Sequence, residues 1–297
     1  GAKKEELKTR EKILKASSSP STLQRRVQEW PFNPSEAFLT VSMNDFPVAD
    51  LRQQLNKVKR ENLHLVKGQP VELLRDTNGQ VIAKPDLYKK LIPIWEKNVK
   101  SADQSGAVVI YEYPSSKVKG AYKIGFDPYR QDNGTSLAAI YVYKPIIKGH
   151  SSKNQIVASY IGRLYSADSV NRIAELLADL YNTQVMFENE VTHVRDYFIR
   201  IKKIHLMALQ PDTVISKATV NSKVSRVYGC HMNEQMKDAG EKYIKAWLLQ
   251  IRDYDEYGNP IYNLNYIFDI GLLEELIEYN RKGNFDRVMA LMQVLFQ

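Results

Sequence analysis

The chain has 297 residues, 43% of them apolar and 10% aromatic, which is enough for a sizeable core and excludes a wholly disordered protein. Its 42 Lys and Arg against 34 Asp and Glu leave a net charge of +8, a balance that favours a polyanionic partner such as nucleic acid. One cysteine, Cys230, excludes a disulfide framework and a cysteine-rich zinc site, no apolar run is long enough for a membrane span, and no signal-peptide core opens the chain.

In chain order, Gly1-Ala2 reads as a cloning remnant, so the chain is expected to be a piece of a longer protein. Residues 3–16 form a charged helix that ends at the Ser17-Ser-Ser-Pro-Ser21 linker. The spacing of Leu51, Leu55, Val58 and Leu63 predicts a second helix over Val48 to Leu63. Asn78-Gly79 between two short apolar runs signals a hairpin within residues 70–84. Residues 1–100 are therefore expected to be an N-terminal helical and linker segment with a small hairpin, and residues 101–297 the main domain.

From residue 107 the pattern becomes regular. Ala107 to Tyr113 reads as a strand at an edge of the main sheet, and Lys119 to Asp127 as a second that stops at Pro128. Ser136 to Lys144 and Gln155 to Gly162 follow as strands. Val170, Ile173, Ala174, Leu177 and Leu180 share a helical face over Ser166 to Tyr181, with Ser166 or Asp168 as cap. Thr183 to Phe187 is a short strand stopped by Glu188-Asn189-Glu190. Helices are expected over Met232 to Gln250 and Gly271 to Arg281, and a last one from Asn284, its cap, to the C-terminus. Three short-linked strands make an antiparallel meander, and the helix before the fourth lets that strand return parallel to an earlier one. The expected fold class is α/β, a mixed sheet flanked by helices.

Three carboxylates stand where such a fold gathers them: Asp127 and Glu188 at strand ends, and Asp286 at the start of the last helix. Clustered carboxylates repel one another, and hard divalent cations, which demand oxygen ligands, relieve that repulsion. Taken singly each has an ordinary alternative: Asp127 as a turn former before Pro128, Glu188 as a solvated strand end, Asp286 as a first-turn acid favoured by the helix dipole. Asp269, in Phe268-Asp-Ile-Gly271, is the alternative third acid. Basic residues follow these strands: Lys144, Lys148 and Lys153, then Arg195, then Lys217, Lys223 and Arg226, candidates for phosphate contacts.

Other motifs are read as structural. Asp253-Tyr-Asp-Glu-Tyr-Gly258 opens like a calcium loop, but Leu264 stands at its twelfth position and Pro260 intrudes, so a polar hairpin turn is expected. His193 is expected to be a satisfied or surface residue, and His231 beside Cys230 is too sparse a set for zinc.

Tyr122-Lys-Ile-Gly-Phe-Asp-Pro-Tyr129, followed by Asn133-Gly-Thr-Ser-Leu-Ala-Ala-Ile-Tyr-Val142, resembles the first motif of the nuclease domain of large terminase subunits of tailed double-stranded DNA bacteriophages. Val185-Met-Phe-Glu-Asn-Glu190 resembles the second motif of that family, and Leu272 through Leu291 its third, where Asn284-Phe285-Asp286 replaces the usual His-Asp-Asp run. Gln28 through Phe38 is similar to the segment that joins the motor and nuclease halves.

The resemblance implies an RNase H-like fold and cleavage of viral DNA concatemers during packaging. Asp127, Glu188 and Asp286 would hold two Mg2+ or Mn2+ ions, and Asp132 would be a further metal-site acid. The partners implied are double-stranded DNA and, in the full motor, a portal protein and a small terminase subunit. The place implied is the host bacterial cytoplasm, at the procapsid portal. The absence of a Gly-x-x-x-x-Gly-Lys-Ser/Thr run predicts no ATP site in this fragment. Two alternatives stay open: a non-catalytic DNA-binding or portal-docking module, and another RNase H-like nuclease of the resolvase or integrase type.

Overall fold

The computed structural model describes residues 2–16, 26–27, 29–32, 44–98, 102–115, 120–130, 136–146, 154–211 and 227–297. They fall into two compact units, residues 1–46 with 280–283, and residues 47–279 with 284–297. The first unit contains helix α1 (Ala2–Ala16), where the Glu6 carboxylate accepts from Arg26 at 2.7 Å. Helix α1 coincides with the charged helix expected there.

The second unit opens with α2 (Val48–Arg60) and the short α3 (Leu63–Lys67). It is built on a seven-stranded sheet of β1 (Gln69–Arg75), β2 (Val81–Pro85), β3 (Ala107–Ile110), β4 (Lys123–Asp127), β5 (Ala138–Lys144), β6 (Gln155–Gly162) and β7 (Val185–Phe187). The strand order is β2-β1-β3-β6-β5-β4-β7. Every neighbouring pair is antiparallel except β4 and β7, which are parallel. The meander β4-β5-β6 is thus followed by a helical crossover that returns β7 beside β4. A mixed sheet of this order is the RNase H-like fold.

The hairpin β1-β2 is not a separate element of an N-terminal segment. Gln69 to Val71 pair with β3, so the hairpin extends the main sheet and residue 100 marks no division of it. For the same reason β3 lies between β1 and β6 rather than at an edge.

Residues alternate across a strand, so β4 sends Ile124 and Phe126 to one face and Gly125 and Asp127 to the other. Ile124 and Phe126 join the main apolar core with Val170, Ala174 and Leu177 of α4 (Ala167–Leu180). Ser166 caps α4, accepting from the Ser169 amide at 3.3 Å. After β7 comes α5 (Thr192–Arg200), whose Val194, Tyr197 and Phe198 enter that same core.

The other face carries α6 (Glu234–Leu248), α7 (Ile270–Glu278) and α8 (Asp286–Leu295). Between α6 and α7 lies the hairpin of β8 (Ile251–Tyr254) and β9 (Pro260–Tyr262). Asp255 there accepts from the amides of Tyr257 and Asn259, so it closes its own turn as the hairpin reading expects. No helix among the described residues is long and apolar enough to cross a membrane.

Candidate functional site

Gly125 fixes how α8 lies on the sheet. A Cβ at this position would come within 2.2 Å of the Ala290 carbonyl oxygen and 2.6 Å of the Val294 amide, so only glycine lets the helix backbone settle on β4. Gln297 locks the far end, donating to the Ile124 carbonyl at 2.7 Å. Asp286 is four residues, about one turn, before Ala290 on the same helix, and Asp127 is two residues beyond Gly125 on the same face. The close seat of α8 on Gly125 therefore brings Asp286 to the end of β4 that carries Asp127.

Glu188 arrives by register. The parallel pairs Ile124–Val185, Gly125–Met186 and Phe126–Phe187 put Glu188 in line with Asp127 on the neighbouring strand, where strands stand about 4.8 Å apart. Past the end of β7 the backbone of Cys230 pairs with Glu188, and Gly229, at φ +77°, makes the bend that allows it. The Cys230 thiol is buried and pushed up to about 12 by that burial.

The electrostatics follow from this crowding. Asp127 is 8% exposed, and its pKa is held well above the usual carboxylate range by burial first and then by the charges of Asp286 and Glu188. None of the described residues donates a hydrogen bond to its carboxylate. Asp286 is pushed up to about 6, mainly by burial, while the Leu137 amide (3.0 Å) and the Asn284 side chain (3.3 Å) pull the other way. Burial also raises Glu188, and the Arg130 guanidinium, 2.9 Å from it, opposes the rise. Arg130 reaches Glu190 at 3.0 Å as well, and Glu190 is in turn 2.8 Å from His231. Asp286 lines a cleft of about 350 Å³ with Lys97, Gln104 and Asn284.

Two oxygen-rich strand ends and a helix start fit the chemistry of a hard divalent cation. Their present spacing is open: among the described residues, no three His, Cys, Asp or Glu side chains are gathered to hold a metal ion. One Glu188 oxygen is held by Arg130, and one Asp286 oxygen by the Leu137 amide. An ion would relieve the mutual repulsion that raises Asp127.

The other predicted residues are placed differently. Asp269 is 4% exposed and caps α7, accepting from the Leu272 amide at 3.0 Å and from the Tyr141 hydroxyl at 2.6 Å. Its oxygens are committed to that role, and the structure does not bring it to Asp127. Asn284 does not cap α8; it bonds Ser136 and Asp286 instead. The α8 amides of Arg287 (2.9 Å) and Val288 (3.3 Å) are capped by the Glu275 carboxylate from α7. His193 is satisfied between the Tyr129 carbonyl and Asn171. Lys144 bonds Glu112 and lies five residues along the β4-β5 register from Asp127, about 17 Å away. It is not among the acids. Arg195 is exposed on α5. Asp132, Lys148, Lys153, Lys217, Lys223 and Arg226 lie outside the described residues, as does most of the Gln28–Phe38 segment.

Arg130 and Glu190 escaped the reading of the sequence as site residues. The available signal was position, since Arg130 follows Asp127 by three residues and Glu190 follows Glu188 by two.

No protein-family model matches the chain, and no curated protein matches it. Among solved structures, the crystal structure of the large terminase nuclease from thermophilic phage G20c is similar, with a TM-score of 0.32 and 13% identity over 70% of this chain and 92% of that one. The fold class stands on the strand order, and the site on the geometry above.

Proposed function

We propose that the chain is a divalent-metal-dependent endonuclease acting on double-stranded DNA. The observation that carries this reading is that Asp127, Glu188 and Asp286 stand at one end of β4, β7 and α8, where burial first and then the charges of the other two raise Asp127. Asp127, Glu188 and Asp286 would together hold the two Mg2+ or Mn2+ ions. Such ions supply an activated water and stabilise the leaving oxygen of a phosphodiester. Arg130, two-thirds exposed, is free to exchange Glu188 for a substrate phosphate. Asp132 is proposed as a further acid for the same centre, and Arg195, Lys148, Lys153, Lys217, Lys223 and Arg226 as phosphate contacts.

The motif resemblance extends the proposal to cutting viral concatemers during genome packaging, in the host cytoplasm with a portal protein and a small terminase subunit as partners. The open spacing of the acids favours one rival, a DNA-gripping module without catalysis. Incubating supercoiled plasmid with the chain in Mg2+, Mn2+ or EDTA separates the two. Nicking and linearisation are expected with metal and not with EDTA, and D127N is expected to abolish both. Intact plasmid under every metal tried rejects the enzyme reading.

A further inference from the structure

Among the described residues, Arg287 and Arg252 both have guanidinium nitrogens buried without an acceptor, and they differ in one respect. Arg287, 1% exposed, is balanced by two carboxylates, Glu275 at 3.0 Å and Asp269 at 3.7 Å. Among the described residues, Arg252 has none in contact. Its Nη2 donates to the Gln155 side-chain oxygen at 2.5 Å, and its guanidinium lies 3.7 Å over the Tyr266 ring. Its Nε and Nη1 are buried and find no acceptor among the described residues.

Two buried donors without an acceptor are costly, and partial burial holds this guanidinium below its ordinary pKa. Glu112 stands near but is already bonded by Lys144 and by the Gln155 amide. Removing the cation is not an option for an arginine, whose charge is retained at all ordinary pH. What remains is an anion from outside.

The cavity in front of Arg252 has room for one. It measures about 770 Å³, within the usual range for small-ligand sites. Lys57 and Lys67 stand exposed at its margin, Lys144 lies inside it, and Glu61 and Glu112 are its acids. Lys144 and Glu112 pair with each other, which leaves Arg252, Lys57 and Lys67 against Glu61, itself bonded to Arg60 at 2.7 Å. Tyr266 and Phe268 give the wall flat apolar surface. The cavity opens at the Lys144 end of the sheet, away from Asp127.

We infer that this cavity is a second anion site, which binds a phosphate group through Arg252 with Lys57 and Lys67 at its entrance. The phosphate comes either from a free small molecule or from a nucleic-acid backbone. The inference is independent of the nuclease reading, because none of the acids at Asp127 takes part.

The test uses the full chain in EDTA, titrated by calorimetry with pyrophosphate, with AMP, and with a short DNA duplex, against sodium chloride at matched ionic strength. Saturable binding of pyrophosphate or AMP is expected, with a melting temperature that rises with ligand concentration. Binding of the duplex alone would assign the phosphate to nucleic acid and also support the site, provided R252Q weakens it. R252Q should weaken binding roughly tenfold or more, the loss of a charge-assisted contact. K84Q, at an exposed lysine of β2 that does not line the cavity, should bind as the unaltered chain does. If R252Q does not fold, K57E/K67E, altered only at exposed positions, should weaken binding instead. The inference is overturned if no phosphate compound does better than matched chloride, if folded R252Q or, failing that, K57E/K67E binds unchanged, or if K84Q weakens binding as much as R252Q does.

Discussion

Asp127 is an acid that its surroundings discourage from ionising. Burial and two acidic neighbours raise it, no described residue donates to it, and Arg130, whose charge lowers it, is bonded to Glu188 and Glu190. Asp286 shares the strain in a form that stability measurements read directly. Its folded pKa of about 6 lies above the roughly 3.9 of an unfolded Asp. A raised acid leaves the folded state unpenalised below the unfolded value, and costs stability progressively as pH climbs through the interval to about 6. D286N, whose amide oxygen still accepts from Leu137, removes that loss. Thermal unfolding in EDTA should therefore show the stability of D286N relative to the unaltered chain rising between pH 4.5 and pH 7. A pH-independent difference would contradict the assignment. The position of Asp127 was legible in the sequence, because a strand that ends Ile124-Gly-Phe-Asp127 before a proline delivers an acid to the sheet end. Arg130 was not, because a single arginine in a loop has no periodicity, and only the fold brings it to Glu188.

At the scale of elements, α8 is the part on which the site depends, and two contacts seat it. The first is Gly125, which leaves room for the helix backbone at the Ala290 carbonyl. G125A forces that backbone outward and should cost about 3 kcal/mol, the upper end of overpacking because backbone rather than a flexible side chain is in the way. Chemical denaturation checks the figure, and the proposed nuclease activity should fall with it as Asp286 moves. The second is Glu275, which caps α8 from α7 and neutralises Arg287. E275A leaves the buried Arg287 with Asp269 alone and should cost about 3–5 kcal/mol. E275Q keeps an oxygen for the amides of Arg287 and Val288 and should lose clearly less; equal losses would deny the capping role. The sequence suggested Asn284 as the cap because Asn favours that position, but a carboxylate from another helix took the amides, which no local pattern reveals. Helix α5 was missed for a related reason: its basic residues drew attention, while Val191, Val194, Tyr197 and Phe198 carried the helical spacing.

At the scale of the whole molecule, the meander, crossover and parallel return were readable from period and order alone. The placement of β1-β2 was not, since sheet extension by a distant hairpin depends on non-local pairing with β3. The sheet separates its chemistry by end: the acids of β4, β7 and α8 lie at one, and Lys144, with the cavity that holds Arg252, at the other. The central claim is that the acidic end takes divalent cations. Calorimetric titration of the metal-free chain with Mn2+ tests it most directly. Saturable binding is expected in the unaltered chain and should be lost in D127N, with K144Q binding as the unaltered chain does. Absence of Mn2+ binding, or binding that D127N leaves intact, would contradict it.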